Sequence, residues 1–236
     1  MQESNTLGTA PIRDGNQTLA RGLRAFLTIV DSPNGLTVQQ VGEMLGVHRS
    51  IAYRLLQTLV DFGLVARGRD GVYLPGARLA SLAEAYFPTL RGVAAPIMRD
   101  LADRLKSTVG LFVAQGDSAV AILMVEPTTA THHIAFKPGM RTSMTVGAAA
   151  YAIRAQDPPV TDEPEHVQEA REVGFGRSYS EVESGAYGVA AGIPVDDGTT
   201  RACLNLITYN QDVADGAGPH LRTAADAVGA ALAAQG

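Results

Sequence analysis

His48, Arg49, Ser50, Tyr53, Arg54 and Gln57 fall in one short stretch, interleaved with the apolar residues Val47, Ile51, Leu55 and Leu59 at intervals of four. That interval is the repeat of one helix face, so the spacing predicts a helix that buries the apolar set and turns the polar set outward. The outward set consists of side chains that hydrogen-bond phosphate oxygens and base edges in a DNA major groove. Further along the chain, Arg67 and Arg69 flank Gly68 and precede Asp70-Gly71, a favoured hairpin turn. Two arginines on a hairpin suit contact with the backbone or minor groove beside that major groove.

The flanking elements are those needed to hold such a helix against DNA. Leu19, Leu23, Phe26, Leu27 and Val30 recur at helical spacing before Ser32-Pro33-Asn34-Gly35 ends the pattern. Thr37 can cap a second helix, with Gln40 three residues on completing a capping box, and Thr37 also joins the candidate DNA-contact set. Val41, Gly42 and Leu45 then face the third helix, Gly46 supplies the tight turn, and Gly63 closes the third helix. Leu64 to Arg67 and Val72 to Leu74 read as two strands of a wing. An ordinary helical hairpin with a solvated polar face is the plainer alternative, and the wing that follows speaks against it.

Charge is distributed accordingly. The 236 residues carry a formal net charge of −5, yet residues 11–75 hold seven arginines against five acids, while the remainder is acidic. A weakly basic head on an acidic body fits a DNA-reading module joined to a domain of another kind. Hydrophobic residues at 46% permit a real core. Cys203 is the single cysteine, so no internal disulfide can form. No apolar run reaches membrane-spanning length and residues 1–16 lack a signal-peptide core, so the expected location is the cytoplasm, with no membrane partner.

Residues 1–17 are expected to be a disordered tail, 18–75 a winged helix-turn-helix, 76–91 a linker helix with its stripe at Leu79, Leu82, Ala83, Tyr86 and Leu90, and 92–236 a second domain. In the last, a helix carries Ala94 to Leu105 and strands run Val109 to Gln115, Ala119 to Glu126 and Thr131 to Lys137. A small-residue helix over Gly147 to Ala155 and another over Glu163 to Val173 follow, then strands Val189 to Val195 and Ala202 to Tyr209 and a last helix from Pro219 to Ala234. Hairpin-paired strands with helices set apart give an α+β class with an antiparallel sheet. Gln156 to Pro164 reads as a surface loop.

The run from Gly46 to Leu59, followed by Gly63-Leu64-Val65 and Tyr73-Leu74, resembles the DNA-binding domain of the IclR-type transcriptional regulators. The likeness continues through Pro96 to Leu105, Val120 to Glu126, and Glu169 to Phe175 with Glu181, Glu183, Gly185 and Pro194-Val195, so it covers nearly everything from Thr18 onward. It implies a winged helix-turn-helix, a linker helix, a GAF-like effector domain, and dimers or dimers of dimers on operator DNA with palindromic or direct half-sites. Repressor and activator stay open.

The same resemblance places a small-molecule site between the sheet and the segment Met140 to Tyr151. The candidate effector residues are Met140, Arg141, Met144, Val146, Ala148 and Ala149, with Tyr187, Ala191 and Asn205 as wall positions. Thr145 to Tyr151 departs from the family's usual polar run, and Gly188 or Ala190 stands where many relatives carry a cysteine or serine. Polar anchors are therefore scarce. Two occupants stay open: an uncharged or largely apolar ligand, or an anion held by Arg141 and backbone amides at the start of the Gly147 helix.

Other chemistries have weaker anchors. His132 and His133 on a strand point to opposite faces, which argues against a metal site, and no cofactor is expected. Cys203 sits in an apolar run as a small core residue. Tyr179, Tyr187 and Tyr209 are candidate ligand contacts that also suit a sheet surface. Neither a phosphate loop nor a nucleophile elbow occurs, so the expected protein is no enzyme. A metabolite-binding protein or enzyme that uses the winged helix only to dimerise is the rival, and a regulator without an effector the third reading.

Overall fold

A computed structural model describes residues 15–129, 137–195 and 199–235. The tail up to residue 14, residues 131–136 of the expected third strand with His132 and His133, and residues 196–198 lie outside the described residues. The chain divides into two compact units, one ending at Tyr86 and one beginning at Phe87.

In the first unit, α1 spans Gln17–Val30. Asn16 caps it by accepting from the Leu19 amide at 3.0 Å, so the end of the expected tail is already part of the helix start. A short strand β1, Leu36–Thr37, precedes α2, Val38–Leu45. Thr37 and Gln40 form the capping box: the Thr37 hydroxyl accepts from the Gln40 amide at 3.3 Å and Gln40 Oε1 accepts from the Thr37 amide at 2.8 Å. Gly46 follows at φ 62°, the left-handed turn that lets α3, Arg49–Asp61, leave steeply. Beyond α3, the Gly63 amide donates to Val60 and the Leu64 amide to Leu59, a paired closure of the last turn.

The buried face of α3 differs from the expected one. Ala52, Leu56 and Leu59 are buried, whereas Ile51 is 42% exposed. The α2–α3 crossing decides this, because a Cβ at Gly42 would lie 3.6 Å from the Cβ of Ala52. Ala52 thus faces α2 at Gly42, and with Ala52 turned inward Ile51 lies toward the outside of α3. Strands β2, Val65–Arg67, and β3, Val72–Pro75, complete a three-stranded sheet in the order β1-β3-β2. Asp70 at φ 55° and ψ 23° and Gly71 at φ 73° turn the wing, both in the left-handed region a type I′ turn demands.

The helix expected over 76–91 is broken. α4 covers Arg78–Glu84, and α5 runs Pro88–Leu105. Between them Phe87 takes φ 49° and ψ 52°, outside the right-handed helical region that a residue before proline disfavours, and so breaks the helix. Leu90 accordingly belongs to the core of the second unit.

That unit is built on a six-stranded antiparallel sheet, ordered β6-β5-β4-β9-β8-β7. The strands are β4 Thr108–Gln115, β5 Ser118–Val125, β6 Arg141–Ser143, β7 Gly176–Tyr179, β8 Tyr187–Ile193 and β9 Ala202–Thr208. One face packs on α5 and on α8, Gln211–Ala233, through Val109, Leu111, Leu204, Leu206 and Leu221. On the other face, Phe112, Ala121, Ala190 and Cys203 pack against α6, Ala148–Arg154. α7, Glu165–Val173, lies beside α6 through Val167 and Ala170.

α8 starts eight residues before the expected Pro219. Proline inside a helix leaves the carbonyl four residues back without its donor. Here that carbonyl, Asp215, accepts instead from Arg177 Nη2 at 3.0 Å, so the helix passes through Pro219.

Candidate DNA interface and ligand cleft

The exposed face of α3 collects most of the candidate DNA contacts. Arg49, Ser50, Tyr53, Arg54 and Gln57 are all exposed. With Ala52, Leu56 and Leu59 inward, the opposite side at 100° per residue centres on Ser50, Arg54, Gln57 and Asp61. His48 is the N-cap, and its Nδ1 lies 2.9 Å from the Ser50 hydroxyl, which ties both side chains to the helix start. Gln57 Nε2 donates to Asp61 Oδ1 at 3.0 Å. Thr37 stands apart in use, since its hydroxyl is engaged with Gln40. Arg67 ends β2 opposite Tyr73, and Arg69 sits at the wing turn, both exposed.

In the second unit a cleft with about 440 Å³ of empty space, its open mouth included, lies between the α6 side of the sheet and the β7–β8 connection. Met140, Val146, Ala148, Ala149, Tyr187 and Asn205 of the sequence-derived set line it. Three do not. Arg141 is turned away, donating to Gln115 Oε1 at 2.7 Å and to the Gln115 carbonyl at 3.2 Å. Met144 packs into the small core under α6. Ala191 is fully buried on the α5 and α8 face, because strand residues alternate and β8 turns Gly188 and Ala190 to the cleft side.

The structure adds Phe112, Thr142, Ser178, Val182, Glu183 and Gly188 to the lining. Ser178 and Glu183 lie far from Met140 in sequence and carry no local signal of a site. Gly188 forms a close approach: a Cβ there would come within 2.6 Å of Ser178 Oγ and 3.3 Å of the Ala148 Cβ. Of the three candidate tyrosines only Tyr187 borders the cleft. Its ring lies 4.5 Å from that of Tyr179, and its hydroxyl is 3.2 Å from Gln211 Oε1.

The start of α6 is already occupied by the chain itself. The Gly147 amide donates to Glu181 Oε2 at 2.7 Å, and the Tyr151 hydroxyl donates to the same oxygen at 2.6 Å. The Ala148 amide donates to Ser178 Oγ at 3.1 Å. Burial, then the hydrogen bond to Glu181, push the Tyr151 hydroxyl up to about 12, so it stays a donor across the neutral range. Of the anion site considered from sequence, Arg141 and the amides of Gly147 and Ala148 each have another partner within the chain. Burial also pushes the Cys203 thiol up, and its Sγ points to the Ala149 carbonyl at 3.7 Å.

Residues 18–69 match the IclR helix-turn-helix domain family. That stretch is an IclR-type helix-turn-helix domain. An HTH-type transcriptional regulator of Mycobacterium tuberculosis is 32% identical over 114 residues, a match spanning 48% of this chain and 44% of that one, so the similarity reaches less than half the relative's length. The transcriptional regulator KipR of Bacillus subtilis is 23% identical over 208 residues, 78% of this chain and 82% of that one. The IclR-type fold extends through both units: an IclR homologue from Microbacterium hydrocarbonoxydans, crystallised with 4-hydroxybenzoate, superposes with a TM-score of 0.73 at 21% identity, covering 92% of this chain and 99% of that one. Among the described residues, no group of three or more His, Cys, Asp or Glu is arranged to hold a metal, and no helix is long and apolar enough to cross a membrane.

Proposed function

We propose that this chain is a cytoplasmic, sequence-specific transcription regulator whose second unit answers to a small-molecule effector. The carrying observation is the exposed face of α3 with Arg54 and Gln57 one turn apart, beside a type I′ wing bearing Arg67 and Arg69. That is the layout in which a recognition helix reads base edges and a wing meets the neighbouring backbone. Arg49, Ser50, Tyr53, Arg54 and Gln57 meet the major groove in this reading, and α4 serves as the linker from the DNA-binding domain.

Two copies on one operator follow from the surface of the first unit. Leu19, Leu23, Leu27 and Val30 form an exposed stripe along α1, and Leu82 and Tyr86 are exposed near α4. Apolar stripes of this length on a small domain suit a self-complementary two-fold contact. The effector is assigned to the cleft under the β7–β8 connection, whose lining is mostly apolar with a few polar groups. That the Microbacterium homologue is complexed with 4-hydroxybenzoate supports a small-molecule effector, without bearing on its position or charge here.

A gel-shift titration of the full chain against its own upstream DNA tests the reading. Specific binding that weakens steeply with salt is expected. Binding with no preference over unrelated DNA would sink it.

A further inference from the structure

The effector cleft has an unusual polarity, and the inference below rests on its assignment as the ligand site. Asn205 is only 6% exposed and lines the cleft, and its Oδ1, itself shielded from solvent, has no hydrogen-bond partner. The register explains why: its neighbours on the two flanking strands are Gly110 on β4 and Ala190 on β8, and neither has a side chain that can reach it. A buried acceptor without a donor is a standing cost that a ligand can relieve.

The rest of the lining disfavours negative charge. Glu183 borders the cleft, and Glu181 Oε2 occupies the α6 amide and hydroxyl donors at its end. Among the described residues, the lining contains no arginine, lysine or histidine. Among the described residues, a carboxylate entering here would meet the Glu183 carboxylate in the lining and no cation. The apolar wall is made by Phe112, Val146, Ala148 and Ile207.

We propose that this cleft takes a small uncharged ligand with an apolar body and a hydrogen-bonding group for the Asn205 carboxamide, whose Oδ1 the chain leaves without a donor, a primary carboxamide being the simplest case, and that it rejects carboxylates. Glu181 acts as the chain's own substitute for a ligand carboxylate at the Gly147 amide and the Tyr151 hydroxyl.

Benzamide and benzoate share shape and size and differ in charge and in N–H donors, so they are the probes. Calorimetric titration of the full chain should give benzamide a Kd at least tenfold lower than benzoate. Asn205→Leu should weaken benzamide at least tenfold, and Glu181→Gln should narrow the benzamide-to-benzoate ratio. The wild-type ratio needs no variant, so misfolding of either one leaves the test intact. Benzoate binding as tightly as benzamide, no binding of either at 20 mM, or benzamide affinity unchanged by a folded Asn205→Leu would each overturn the proposal. Operator binding, measured on the same samples by gel shift, fails or succeeds separately: its loss would count against the regulator reading and leave the cleft chemistry standing.

Discussion

Gln57 Nε2 donates to Asp61 Oδ1 at 3.0 Å across one turn of α3, so the polar face proposed to meet DNA carries an acid at its C-terminal end. The contact holds the Gln57 amide along the helix, and the carboxylate repels phosphates. Asp61→Asn should keep a hydrogen-bonding partner for Gln57 while removing the charge. Operator affinity in a gel shift at low salt should rise a few-fold, and the gain should shrink as salt is added. A loss of affinity would mean that Asp61 accepts from a base rather than merely holding Gln57.

Arg54 lies at the centre of the same face and is exposed. A well-placed base contact is worth about 1–3 kcal/mol, so Arg54→Ala should weaken operator binding roughly 5- to 150-fold while thermal unfolding is unaltered. Unchanged affinity in a folded variant removes α3 from the major groove.

The wing should behave differently. Arg69 stands at the turn, beside Asp70 and Gly71 in their left-handed conformations, where a long side chain reaches backbone more readily than base edges. Arg69→Ala should lower affinity alike for operator and unrelated DNA and reduce the slope of log affinity against log salt by about one. A changed preference between operators would instead make the wing a reader of sequence.

Features set by neighbours in the chain were legible in the sequence. The Thr37–Gln40 capping box, the Gly46 turn and the Asp70-Gly71 wing each depend on residues a few positions apart, and each occurs as expected. What escaped depends on distant partners. Ala52 is too small to register in an apolar repeat, so the pattern favoured Ile51, whereas the crossing at Gly42 selects Ala52. Strands β6 and β7 are short and polar, Arg141-Thr142-Ser143 and Gly176-Arg177-Ser178-Tyr179, and only pairing with β5 and β8 makes them strands. Pro219 resembles a helix start until Arg177 is seen to satisfy the Asp215 carbonyl. In the cleft, Ala191 belonged to the wrong face by one residue of register, and Ser178 and Glu183 arrive from the far edge of the sheet. Arg141 looked like a free cation because its partner, Gln115, is on a strand two places away across the sheet.

The Tyr151–Glu181 contact predicts a pH response. Tyr151 is raised from the ordinary value of 10.0 to about 12, by burial first and by the Glu181 hydrogen bond second. The folded state therefore holds this proton more tightly than the unfolded one. The linked stabilisation is complete below pH 10 and is lost as pH rises from about 10 to about 12. Tyr187 is raised as well, by burial first, so ultraviolet titration should show late-ionising tyrosine absorbance from which Tyr151→Phe removes one tyrosine's share. If that variant leaves the late amplitude unchanged, Tyr151 does not contribute to it and the α6 start is arranged differently.

The connection over 156–164 is held by two arginines, Arg171 making most of the contacts. Arg171 on α7 donates to Glu163 Oε1 at 2.7 Å and to the carbonyls of Ala155 and Asp157, and Arg201 adds a second tie to Asp157 at 2.7 Å. The Glu163 side chain is 6% exposed and that of Arg171 is 27% exposed. Removing the two partners should therefore have unequal effects. Arg171→Met strands a buried carboxylate and two carbonyl oxygens, and should cost about 3 kcal/mol in urea unfolding. Glu163→Gln leaves the arginine its carbonyl partners and a share of solvent, and should cost about 1 kcal/mol. Combining Arg171→Met with Glu163→Leu should recover part of the single-variant loss, because no charge is then left buried. Equal costs for the two single variants would show that the carbonyl contacts contribute nothing, and that the segment is held by the ion pair alone.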